Sequence, residues 1–346
     1  MKGRQVIIDK VAGREAAALL VDGRLEDFLL EPPDEAPPAP GAIFRAIADR
    51  PLKGQGGVMM RMPDGGHALF RQARGVSPGQ SVIVQVTGYA ETGKAVPVTD
   101  RLVLKGQSVI VTPQAKGINV SRRITSEDEV ERLKAAIHQI DLSPYPFGMI
   151  LRSAADGIAA DLIADEALNL LELAKAVIGD TGTEPEFLVD APDPAELAWR
   201  DWSHPGSNEA IDEEGAFETY GVLDALEALE SNSFPIGQGV MFVEQTHALV
   251  AVDVNTGGDF SSASGLKANL ACARALPRAL RLRGLGGQIV LDLAPMPKKD
   301  RRQFEQVLKA AFRSDPIDTA LVGWTPLGHF ELQRKRERLP LPKGLI

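Results

Sequence analysis

Two valine- and isoleucine-rich runs, each closed by an aspartate, constrain this chain more than any other feature. Ala248-Leu249-Val250-Ala251-Val252 runs into Asp253, and Gln288-Ile289-Val290-Leu291 runs into Asp292. Short apolar runs of this kind suit strands covered on both faces. Between them, Ser261 to Leu282 is rich in Ala and Leu, is opened by Ser and Gly, and predicts a helix. Strand, helix, strand is a βαβ unit, so the two strands should lie parallel and close together. Both aspartates then stand at the carboxyl ends of their strands, where open α/β sheets place ligands. With Asn255 two residues after Asp253, they form a candidate cradle for a divalent metal. A plainer reading, in which both aspartates are turn or N-cap residues, fits the same pattern.

The rest of the composition limits what such a unit can belong to. The chain has 346 residues, 44% of them hydrophobic and 25% charged, which is ordinary for a globular protein of two or more domains. No apolar run approaches the ~20 residues of a membrane-spanning helix, and the N-terminus lacks the apolar region of a signal peptide, so a cytoplasmic protein with no membrane partner is expected. One cysteine, Cys272, excludes an intrachain disulfide and a zinc site built on a cysteine pair. The net charge is -9, which argues against a generic nucleic-acid binder. Its distribution is uneven. Gly265 to Ile346 holds 16 Lys and Arg against 7 Asp and Glu, a net +9, so the remainder carries -18. A basic C-terminal part on an acidic body suits a localised polyanion site, although scattered solvated charges would give the same count.

In chain order, strand patterns occupy Gln5–Asp9, Ala16–Val21 and Arg24–Leu30, with a turn at Asp22-Gly23. Glu31 to Pro40 is a proline-rich acidic linker. From Gly41 to about Val103, five short strand patterns separated by glycine turns suggest a small barrel such as an OB-fold, a common scaffold for single-stranded nucleic acid. There Phe70 could stack on a base and Lys94 could meet a phosphate, while a core or edge role suits Phe70 as well. Arg122 and Arg123 lie in a loop ahead of a Ser126-capped helix expected over Glu127 to Gln139. Gly148–Leu151 reads as a strand ending at Arg152-Ser153, where an arginine with hydroxyl or backbone donors could hold a phosphate, or simply sit on the surface. Helices are expected over about 160–178, 220–229 and 299–313, and from Pro194. Strands are expected at Phe187–Asp190 and Leu321–Trp324, and a basic helix or tail from Gly328 to Arg338.

Metal-assisted phosphodiester hydrolysis suits Asp253, Asn255 and Asp292, because Mg²⁺ binds through one or two carboxylates and keeps waters that leave room for a phosphate oxygen. A dinucleotide site does not. Gly257-Gly258 lacks the G-x-G-x-x-G spacing, and neighbouring carboxylates would repel a pyrophosphate. The five histidines show no paired metal spacing.

V-E-Q-T-H-A-L-V-A-V-D-V-N-T-G, N-L-A-C-A and R-L-R-G-L-G-G-Q-I-V-L-D-L together resemble the catalytic core of the ribonuclease E/G family. Gly117 to Ile124 resembles that family's G-I-S-R-R-I loop, and Ile150-Leu151-Arg152-Ser153 its I-V-R-T strand end. The resemblance implies an α/β multidomain protein. An RNase H-like domain without its active site would be split over 1–40 and 181–230. An OB-fold RNA-binding insert would occupy 41–103, a 5′-sensor region 104–180, and a DNase I-like catalytic domain 231–346. It implies an endoribonuclease that cuts single-stranded RNA and leaves 5′-phosphate products. Asp253 and Asp292 would hold Mg²⁺, with Mn²⁺ as a substitute and no zinc, and Asn255 would position Asp253. Phe70, Lys94, Arg122 and Arg123 would contact RNA. Arg152 and Ser153, with backbone help at Gly106 and Ile110, would grip a 5′-monophosphate. The departures are specific. Met60 stands where a second barrel aromatic is expected, and Pro326 where an arginine is expected. The family's Cys-pair zinc link finds no second cysteine, so a monomer or dimer is expected in place of a zinc-linked tetramer. The rival reading is a catalytically weak RNA-binding or scaffold paralogue.

Overall fold

A computed structural model describes residues 3–346, apart from 53, 55, 74, 92, 143, 203–207, 259–260 and 262, and apart from the side chains of 208 and 209. The chain divides into two units, one of 1–31 with 210–346 and one of 32–209. Among the described residues no helix is long and apolar enough to cross a membrane.

Three strands open the chain, β1 (Arg4–Val11), β2 (Arg14–Val21) and β3 (Arg24–Leu30). The barrel region follows with β4 (Ile43–Pro51), β5 (Val58–Arg61), β6 (His67–Phe70), β7 (Ser81–Val86) and β8 (Val96–Thr99). Next come β9 (Leu104–Lys105), β10 (Val109–Thr112), β11 (Ile118–Val120), α1 (Glu127–His138), β12 (Gly148–Leu151) and α2 (Ala160–Ile178). The chain continues through β13 (Glu186–Val189), α3 (Pro194–Trp202), β14 (Asn208–Asp212), α4 (Ala216–Thr219) and α5 (Val222–Glu227). It ends with β15 (Ser233–Ile236), β16 (Gly239–Gln245), β17 (Val250–Asn255), α6 (Ser264–Leu282), β18 (Gly287–Asp292), α7 (Arg301–Ser314), β19 (Thr319–Trp324) and β20 (Phe330–Arg334).

In the unit of 32–209, β4-β5-β6-β8-β7 closes on itself through a β4–β7 pairing, giving the five-stranded OB-like barrel that the glycine-punctuated strands predict. The apolar side chains of alternate positions fill it, among them Phe44, Met60, Ala68, Phe70 and Val84. A second sheet, β11-β12-β10-β9, packs with α1 and α2 around Val109, Val111, Leu133, Leu151, Ile163 and Leu171. Ser126 caps α1 as its spacing predicts, its hydroxyl accepting from the Glu129 N–H. The stretch 181–230 divides between two cores. Glu186–Val189 pairs with β4 of the barrel sheet, because Phe187 packs edge-on against Phe44. Ile211, Phe217, Val222 and Leu226 instead share a core with the β1–β3 meander.

The other unit joins that meander to the C-terminal α/β part through buried ion pairs. Asp315, fully buried, meets Arg334 at 3.0 Å and Arg281 at 2.5 Å, and Asp27 on β3 meets Arg281 at 3.4 Å and Arg338 at 2.9 Å. Each buried charge has an opposite partner, without which it would be strongly destabilising. This network explains one correction. Gly328 to Arg338 is not a basic helix or tail, since Phe330–Arg334 is a strand. Phe330, Leu332 and Arg334 alternate inward, and the arginine is admitted to the core by Asp315.

Candidate active site

The last sheet runs β15-β16-β17-β18-β20-β19. β17 and β18 pair in parallel with α6 between them, as the sequence predicts, and Asp253 is the direct register partner of Asp292. Alternation along each strand settles which way they face. Val250, Val252 and Val254 point into the core, as do Ile289 and Leu291, where they meet Cys272, Leu276 and Leu280 of α6 and Phe304, Leu308 and Phe312 of α7. Asp253, Asn255 and Asp292 fall on the opposite, exposed face. The expectation of two covered faces is therefore corrected. Both helices lie against the same apolar face, and the opposite-face positions Ala251 and Val290 are only half-buried.

Backbone close to the aspartates is held by small or buried residues. A side-chain carbon on Gly239 would strike the Asn255 carbonyl, and one on Gly257, whose φ is +64°, would strike the Gln238 carbonyl. The turn that follows Asn255 can only approach β16 through glycine at both places. Asn269 in α6 is fully buried and holds the segment after Asp292 twice. Its Nδ2 donates to the Ala294 carbonyl at 2.9 Å, and the Ala294 N–H donates to its Oδ1 at 3.0 Å. Gly265, one turn earlier, lets α6 sit directly against the Pro295 carbonyl. Asn269 is the first residue of the N-L-A-C-A motif, and its role was not visible in the sequence. A lone asparagine inside an otherwise apolar helix face was the available signal. His329 also comes close, its Nδ1 lying 3.3 Å from Asp292 Oδ1 without a hydrogen bond. The helix expected from Ser261 begins at Ser264, and residue 262 lies outside those described.

Among the described residues no cluster of three or more His, Cys, Asp or Glu could hold a metal. Two carboxylates in register with an amide two residues along is the donor set available. It suits a hard, oxygen-seeking ion that retains several waters.

The other predicted contacts divide. Phe70 is 1% exposed and belongs to the barrel core, the alternative that its sequence pattern leaves open. The burial of β6 alternates so that Ala68 and Phe70 point in, while His67 and Leu69 point out. Leu69 pairs with Met59 on the outer side, next to the outward pair His67 and Arg61, and Met60 is core as well. Lys94 is 65% exposed and pairs with Glu91 at 2.6 Å. Arg122 and Arg123 are exposed on a turn tied to β12 by the Ser121 N–H, which donates to the Leu151 carbonyl.

Arg152 lies against Gly106, and its guanidinium is engaged by the protein's own oxygens. Arg152 donates to the Gly106 carbonyl at 2.5 Å, to the Arg200 carbonyl at 3.3 Å and to Asp201 at 2.8 Å. The Gly106 N–H is engaged by the Val109 carbonyl, and Ile110 sits in the ladder between β9 and β12. The next two amides, of Gln107 and Ser108, both donate to the carboxylate of Glu166. Burial pulls the Asp201 pKa up, but hydrogen bonds and charge from Arg200 and Arg152 outweigh it and hold the carboxyl at about 2.

Comparison with known proteins now bears on these features. A model of the ribonuclease E/G family matches residues 103–213 and 207–337, which take in the Arg152 region and the whole aspartate sheet. Ribonuclease G of Salmonella typhimurium (strain SL1344) is 28% identical over 306 residues, covering 76% of this chain and 61% of its own. Ribonuclease G of Escherichia coli (strain K12) is 28% identical over 302 residues, with the same coverage of 76% and 61%. Ribonuclease E of Synechocystis sp. (strain ATCC 27184 / PCC 6803 / Kazusa) is 26% identical over 357 residues, covering 90% of this chain and 52% of its own. The chain thus spans between about half and three fifths of the length of these relatives. The family model's span includes both strands of the aspartate pair and the α6 asparagine that steadies it, and the chain belongs to the ribonuclease E/G family.

Proposed function

We propose that the chain is a metal-dependent endoribonuclease acting on single-stranded RNA. The observation that carries this reading is the register of Asp253 against Asp292 on neighbouring parallel strands, both exposed on one face with Asn255. Asp253 and Asp292 would hold Mg²⁺, or Mn²⁺ in its place, and Asn255 would orient the Asp253 carboxylate. When bound, the ion would polarise a phosphoryl oxygen and lower the pKa of a water at the site. The chain's own residues do the positioning. The two carboxylates sit on rigid paired strands, and Asn269 fixes the loop that follows the second. Attack of water on phosphorus with loss of the 3′ oxygen leaves the phosphate on the 5′ end of the downstream product.

The set around Arg152 reads as a 5′-monophosphate pocket closed by the protein's own carboxylates. Cleavage should then depend little on the 5′ end. The aliphatic pair Met59 and Leu69 on the outer barrel face favours one second reading, a paralogue that binds RNA and cuts it weakly or not at all. An RNA cleavage assay with Mg²⁺ separates the two. Asp253→Asn with Asp292→Asn should abolish cleavage while leaving RNA binding measurable. Equal background from wild type and the double variant would sink the enzyme reading.

A further inference from the structure

The approach to Asp292 carries a cation that the catalytic reading does not use. Trp324 closes β19, and its indole is fixed on several sides. Its ring centroid lies 5.9 Å from that of Phe304 and 5.2 Å from that of Phe330, and its Nε1 donates to Glu305 at 2.5 Å. Over this ring lies the Arg301 guanidinium, its Cζ 4.1 Å from the ring centroid. That distance is well inside the range of a cation–π contact.

Glu305 stands four residues after Arg301 on α7, the spacing at which a helix normally pairs opposite charges. Its carboxylate is taken by the indole instead. Among the described residues Arg301 has no hydrogen-bond or ion-pair partner, and its Nε is buried with none. One Nη2 lies 3.4 Å from where a side-chain carbon on Gly328 would sit. The next residue, His329, approaches Asp292 to 3.3 Å. Arg301 and Asp292 therefore flank the same two-residue segment.

A guanidinium that is oriented, partly desolvated and left without an anion is built to receive one from outside. The two exposed carboxylates of the site would repel a phosphodiester, and a fixed cation beside them offsets that repulsion. We propose that Arg301, stacked on Trp324, binds a backbone phosphate of the RNA strand next to the one being cut. It acts as a positioning contact and takes no part in the chemical step. The inference rests on the reading of the site as one that acts on RNA.

The test is binding of a labelled single-stranded oligoribonucleotide to the full chain in EDTA, across a salt series, with cleavage of the same oligonucleotide by wild type in Mg²⁺ measured alongside. Arg301→Ala should weaken binding about five- to tenfold at low salt and reduce the salt slope by about one. Arg301→Lys should restore the slope and only part of the affinity, since it keeps the charge and loses the plane. Arg302→Ala, which removes an exposed charge on the same turn with no stacking, should change binding less than about twofold. Binding by Arg301→Ala equal to wild type, or weakened no more than by Arg302→Ala, overturns the proposal. If wild type binds in an Arg301-dependent way but does not cut, the contact stands and the nuclease reading falls. If wild type cuts and Arg301→Ala binds normally, the contact falls alone.

Discussion

Asp201→Asn is the perturbation that probes the Arg152 pocket most directly. In the wild-type chain Asp201 holds Arg152 at 2.8 Å and Arg200 at 2.7 Å, and on the proposed reading an incoming phosphate must displace it. The size of that competition follows from the carboxyl itself. A drop from an ordinary 3.8 to about 2 corresponds to about 2.4 kcal/mol at ~1.36 kcal/mol per pH unit. That value is a ceiling. A quarter of the side chain is exposed, so solvent screens it, and Arg200 shares the interaction, leaving about 1 kcal/mol attributable to Arg152. Removing the negative charge should therefore raise the preference for a 5′-phosphate about fivefold. The assay is the ratio of initial cleavage rates on two otherwise identical oligoribonucleotides, one ending in a 5′-monophosphate and the other in a 5′-hydroxyl. The ratio cancels any general gain in RNA affinity from losing an acid. Wild type should give a ratio near one and Asp201→Asn a ratio of about five, and adding Arg152→Ala should return it to the wild-type value. An unchanged ratio in Asp201→Asn, or a gain that survives Arg152→Ala, would refute the argument that this carboxylate occupies the phosphate position.

Asn269→Ala should strand the Ala294 N–H and carbonyl in the core, costing about 2–4 kcal/mol in chemical denaturation and lowering kcat more than it raises KM, because the loop after Asp292 loses its tether. Acid stability should depend on Glu129 as well as Asp201. The Glu129 carboxyl is held at about 2 by its hydrogen bond to Arg132, against the burial that raises it, with further help from the Gly157 N–H. Both groups have depressed folded values, so their stabilisation is complete above about pH 4.5, the unfolded value for Glu129, and is lost as pH falls toward 2. Thermal melts from pH 5 down to about 2.5 should thus show a steep decline that flattens in Glu129→Gln.

How much of this was legible in the sequence depends on whether the deciding quantity was periodic or three-dimensional. The βαβ unit was legible because a helix flanked by two short apolar runs leaves few ways to pair, and Asp253 duly faces Asp292. The barrel strands were legible from their glycine turns. Phe70 was not. Alternation shows that Ala68 and Phe70 share one face of β6, yet nothing in H-A-L-F says which face is inside until β5 and β8 are placed beside it. Arg334 misled for a related reason. A basic run reads as solvated surface, and only the distant Asp315 makes a buried arginine affordable. Arg152 does bond the Gly106 carbonyl, but its partner Asp201 lies 49 residues away, beyond any local pattern.

These misses bear on the function as well as on the fold. The aspartate pair is set by short-range rules of strand and register, and its register is the one those rules predict. The contacts that would grade one RNA against another are set by tertiary neighbours, and here those neighbours differ from what the motifs suggest. Leu69 faces out in place of an aromatic, Asp201 takes Arg152 and Glu166 takes the Gln107 and Ser108 amides, and Arg301 supplies a cation that no motif announced. A chain built this way should keep the chemistry while changing what admits the substrate. Its selectivity should then follow strand geometry and phosphate contacts near Asp292 more than the state of the 5′ end. Comparing the Asp201→Asn ratio with the Arg301→Ala salt slope on one oligonucleotide tests that ordering. Arg301→Ala should cost wild type more in cleavage than removal of the 5′-phosphate does, and the reverse order would mean that the pocket around Arg152, despite its internal carboxylates, still governs entry.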